Sequence, residues 1–86
     1  MASVAELKAA IDAAIQQVSE GQAALRAASE KLAEAQQSLA AALEGSGHES
    51  VAAAHAALSQ AAMDLEECLI ATLAAVDQAQ TYVATL

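Results

Sequence analysis

Residues 43 to 51 read LEGSGHESV, a short polar break between two long alanine- and leucine-rich runs, and two of the three glycines sit in it. Three readings compete for the stretch: a phosphate-cradling loop, a corner of a metal site, or the place where a helix reverses. A phosphate loop needs a preceding strand and a G-x-x-x-x-G-K continuation, and neither is present. A metal site has His48, Glu49 and His55 to draw on, but an H-E-x-x-H pair would need histidine where Ala52 stands. His55 follows His48 by seven positions, which is roughly 10 Å along a helix and too far for one zinc ion held by those two alone. The stretch reads as a helix stop, a turn at Gly45–Gly47 and a helix start, with His48 solvated in the turn.

The runs on either side support that reading. Upstream, large residues recur every seventh position at Val4, Ile11, Val18, Leu25, Leu32 and Leu39, with Leu7, Ala14, Gly21, Ala28, Ala35 and Ala42 three places after each. This is a heptad seam with large residues at one core position and mostly small ones at the other. Ser3 and Glu6 form an S-x-x-E capping box that starts the helix. Gly45 is expected to stop it near Glu44 by taking the left-handed conformation. Downstream, Val51, His55, Leu58, Ala62, Leu65, Leu69, Thr72, Val76, Ala79, Val83 and Leu86 continue a four-three spacing, and Ser46 with Glu49 offers a second capping box. Two helices over about 3–44 and 48–85 follow, each roughly 55–60 Å long.

Folding back at the glycines pairs positions whose numbers sum to 93 or 94. Leu43 then meets Val51, Leu39 meets His55, Leu32 meets Ala62, Ala28 meets Leu65, Leu25 meets Leu69 and Gly21 meets Thr72. Small residues oppose leucines in successive layers, which is what close packing of two helices needs. The fold class is therefore all-α, an antiparallel two-helix hairpin, with Gly21 and Ala28 expected at points of close approach. Ile15, Met63, Ile70 and Leu73 fall outside this seam. They are read as a second apolar stripe that binds a partner hairpin, as a homodimer or a heterodimer, to complete a four-helix bundle.

Composition narrows function by exclusion. Of the 49 hydrophobic residues 27 are alanine, and there is no Phe, Trp or Pro, so a thin helical core is expected. The formal charge is −8 and the only bases are Lys8, Arg26 and Lys31, a balance that repels phosphate backbones and anionic lipid surfaces. Neither nucleic acid nor membrane is an expected partner. Cys68 is alone, so no internal disulfide forms, and its place beside the seam suits a half-buried apolar residue. The opening MASVAELKAA lacks a basic region before an apolar stretch, so no Sec signal peptide is expected, and CLIATLAAV is too short to span a bilayer. Asp64, Glu66 and Glu67 face no partner across a concave site, and no nucleophile and base can meet. No catalytic residue, metal or cofactor is expected.

The long hairpin, its glycine-containing turn midway and a length near 90 resemble the WXG100 superfamily of small type VII secretion proteins. Here EGSG stands where that family has W-x-G, and Leu86 stands four residues after Tyr82 where the family's export signal has an acidic residue. The segments SVAELKAAI, LEGSGHES and AQTYVATL are similar to those of actinobacterial hairpin proteins and of N-terminal hairpins in polymorphic toxins. The resemblance implies an adaptor or trafficking partner for a toxin or secretion system, a cytoplasmic location, and export by a non-Sec, type VII-like route. The alternative is a purely structural, self-associating helical bundle without an export role. If the register is correct, Ala28→Leu overpacks against Leu65 and lowers stability by about 1–3 kcal/mol in chemical denaturation. An unchanged midpoint would refute the register.

Overall fold

The computed structural model describes residues 3–45 and 47–86. Two α-helices account for nearly all of them, α1 over Val4–Gly45 (42 residues) and α2 over Glu49–Ala84 (36 residues). Alanine, leucine, glutamate and glutamine lose little conformational freedom in a helix, and without proline nothing interrupts either run. The helices lie against each other as an antiparallel hairpin 63 × 18 × 15 Å, the long dimension being that of a 42-residue helix at about 1.5 Å per residue.

The helix ends are held locally. The Ser3 hydroxyl accepts the Glu6 backbone N–H at 3.1 Å, the first half of the expected capping box. The far end of α2 tightens through i→i+3 bonds, with the Thr85 N–H donating to the Tyr82 carbonyl at 3.0 Å and the Leu86 N–H to that of Val83 at 3.1 Å.

The turn departs from expectation in two ways. No glycine among the described residues has a positive φ, and Gly45 closes α1 as a helical residue instead of stopping it in the left-handed conformation. The helix can run through Gly45 because its side-chain-free backbone tolerates the right-handed region as readily. Ser46, named for the second capping box, lies outside the described residues. His48 caps α2 instead: its backbone is extended, and its Nδ1 accepts the Ser50 N–H at 3.0 Å.

The seam on α1 also differs from the expected one. The half-buried or buried positions are Leu7, Ile11, Ile15, Val18, Gln22, Leu25, Ser29, Leu32, Gln36, Leu39 and Leu43, joined by Lys8, Ala28 and Ala35. Val4 is 53% exposed, and Ala14, Gly21 and Ala42 face solvent. From Ile11 onward a core residue lies four places after each large residue, while of the expected positions three places after, Leu7, Ala28 and Ala35 are half-buried and Ala14, Gly21 and Ala42 are not. Both choices preserve the heptad, so periodicity alone does not separate them. Burial does: Ile15 and Leu43 remove more apolar area from water than Ala14 and Ala42, and the stems of Gln22 and Gln36 more than Gly21 and Ala35. A Cβ built on Gly21 meets nothing within 4 Å, so Gly21 is not a point of close helix approach. On α2 the expected seam stands, with Val51, His55, Leu58, Ala62, Leu65, Leu69, Thr72, Val76, Ala79 and Val83 all half-buried, and only Leu86 exposed.

The shifted register places amides in the seam. Gln22, 8% exposed, is the single buried residue among those described, and its Nε2 donates to the Thr72 hydroxyl at 3.3 Å. Thr72 in turn donates to the Leu69 carbonyl at 2.7 Å. Two heptads along, Gln36 Nε2 donates to the Ser59 hydroxyl at 2.9 Å. No hydrophobic side chain among the described residues is buried.

Two outcomes follow. Gly21→Ala, in an exposed helix interior with room for the methyl group, should stabilise the hairpin by up to about 1 kcal/mol in urea denaturation; a loss of stability would restore the close approach. Thr72→Val should cost about 1–2 kcal/mol by leaving the Gln22 amide enclosed without its partner, and adding Gln22→Leu should recover most of that loss. A double variant as unstable as Thr72→Val alone would contradict the role given to this pair.

Candidate functional site

The α2 helix sets up a second stripe beside its seam. At 100° per residue, positions 63, 66, 70, 73 and 77 fall within about 80° of one another, on the flank next to the seam. They read Met63, Glu66, Ile70, Leu73 and Asp77. Met63 is 56% exposed, Ile70 60% and Leu73 48%. An open groove beside them is lined by Arg26, Ser29 and Glu30 of α1 and by Ala62, Glu66 and Leu69 of α2. That groove places the stripe on the broad face of the hairpin that also displays Arg26 and Glu30.

Of the four residues expected to bind a partner, the structure thus brings Met63, Ile70 and Leu73 together and separates Ile15 from them. Ile15 is half-buried in the seam and lines a groove with Ile11, Ala14, Val18, Ala75 and Val76. Cys68, expected to be half-buried beside the seam, faces solvent instead. It lies roughly half a turn around α2 from Ile70, where Tyr82, 50% exposed, shares its flank. Glu66 and Asp77 escape a search for apolar periodicity, although their spacing of three and four from Met63 and Leu73 marks them as part of the stripe.

The electrostatics of the face are one-sided. All three bases lie in α1, while α2 carries Glu49, Asp64, Glu66, Glu67 and Asp77 and no base. Among the described residues the one ion pair is Lys31–Glu34 at 3.2 Å, with side chains 80% and 66% exposed. Such an exposed pair contributes little to stability. Arg26, in the groove beside Glu30 and Glu66, has no carboxylate within 4.0 Å.

Among the described residues, no three His, Cys, Asp or Glu side chains are placed to hold a metal ion together. No helix there is long and apolar enough to cross a membrane. His48 is spent on the helix cap and His55 is half-buried in the seam. Compared with known proteins, the chain matches no family model, no curated protein and no solved structure.

His48 therefore has a structural task that its position in the turn did not announce. His48→Ala should lower stability by about 0.5–1 kcal/mol through loss of the α2 cap, with no change in bound zinc by elemental analysis. Stoichiometric zinc that survives dialysis and disappears in the variant would overturn this account of the turn.

Proposed function

We propose that the hairpin is a non-catalytic protein-interaction module that completes its helical packing with helices of another molecule, in a four-helix arrangement. The observation that carries this reading is the Met63, Ile70 and Leu73 stripe, three large apolar side chains about half exposed on one flank of α2. Large apolar side chains exposed together on one flank mark interaction sites more often than isolated exposed residues do.

The surface area supports the same reading. The chain exposes 5961 Å². A compact monomer of 8.6 kDa exposes about 4,700 Å² on the general size scaling, roughly 1,300 Å² less. Each partner in a standard protein interface gives up about 800 Å², so the excess is enough to accommodate one. In finer terms, we propose an adaptor resembling WXG100 proteins, with the partner hairpin supplied by a toxin's N-terminal region or a secretion component. A self-associating structural bundle is the second reading.

Tagged wild type and an Ile70→Glu, Leu73→Glu variant, recovered from the native host in parallel, test the proposal. Wild type should retain a specific helical protein that the variant loses, while circular dichroism shows equal helix content in both. Identical capture by the two would remove this surface as the interaction site.

A further inference from the structure

We infer that the α2 stripe docks a cationic amphipathic helix from a different chain, not a second copy of this one. The inference rests on the interaction reading above and narrows its partner. Charge decides between the two occupants. A helix laid along Met63, Ile70 and Leu73 runs over Glu66 and Asp77 in the same stripe, with Glu30 at the rim of the adjoining groove and Arg26 the single base there. A two-fold contact between copies, α2 on α2, would put two Glu66 and two Asp77 into one contact, between helices that together hold ten carboxylates and no Lys or Arg. Using α1 as the opposing surface does not resolve this. It carries Glu6, Asp12, Glu20, Glu30, Glu34 and Glu44 against Lys8, Arg26 and Lys31 and is itself net negative. Like charges placed across an interface oppose association, whereas a lysine- or arginine-flanked helix meets Glu66 and Asp77 with complementary charge.

The stripe also sets the size of the occupant. Residues 63 to 77 cover about 21 Å of α2, so four turns of a partner helix suffice to span it. Its apolar residues, spaced by three and four, would seat against Met63, Ile70 and Leu73. Its basic residues would lie in the same row, over Glu66 and Asp77, which sit within the stripe.

A synthetic Leu/Lys amphipathic helix of about 18 residues, and its counterpart with Glu in place of Lys, serve as probes. Fluorescence anisotropy should show the Leu/Lys peptide binding wild type and the Leu/Glu peptide not binding. Ile70→Ser with Leu73→Ser should weaken binding at least about tenfold, and Glu66→Gln with Asp77→Asn about threefold or more, at unchanged helix content. Raising salt should weaken the complex. Leu/Lys binding that the serine variant leaves intact would overturn the inference, because attraction to any acidic helix would then explain it. Absence of binding to wild type would overturn it as well. Sedimentation of wild type as a dimer that the serine variant dissociates would also overturn it, while leaving the interaction reading in place with a second copy as occupant.

Discussion

The structure depends on a seam between two helices that encloses very little. An antiparallel pair presents each helix with one neighbour, so a seam residue is covered from one side and open along both broad faces. This is why leucines that would be buried in a three- or four-helix protein are only half-buried here, and why Gln22 is the single buried residue among those described. Alanine-rich flanks deepen the effect, since methyl groups shield their neighbours poorly. The ordering entropy of 86 residues is large against such modest burial.

With so thin a seam, register has to be specified by more than bulk. Large residues every seventh position permit several alignments that differ by whole heptads, all with leucines opposite small residues. The Gln22–Thr72 hydrogen bond distinguishes among them, because a slip of one heptad sets Leu65 or Ala79, neither able to accept, opposite the Gln22 amide, and it also replaces Ser59 opposite Gln36 by Ala52 or Glu66. Polar residues at a few core positions are known to select register at a cost in stability.

The hairpin is legible in the sequence because LEGSGHESV separates two runs of matching period, and reversal at the glycines is the one arrangement that covers both apolar stripes. The exact α1 face is not. Positions 14 and 15, or 42 and 43, satisfy the heptad equally, and only the packed pair reveals that Ile15 and Leu43 face inward. That ambiguity moved Ile15 into the expected partner surface. The exposure of Met63, Ile70 and Leu73 was legible because the α2 seam leaves those residues outside it. Glu66 and Asp77 were hidden by a search that counted only apolar residues. The His48 cap was hidden too, since histidine lacks the short hydroxyl or carboxylate by which helix starts are ordinarily recognised.

A hairpin that is incomplete alone should open readily, and native-state hydrogen exchange on the monomer tests that most directly. With sedimentation confirming one chain per particle, amides along both helices should exchange through openings of no more than about 3–5 kcal/mol, including those around Leu25 and Leu69 at the centre of the seam. Central amides protected by more than about 8 kcal/mol in a proven monomer would contradict it, because the two helices would then need no partner.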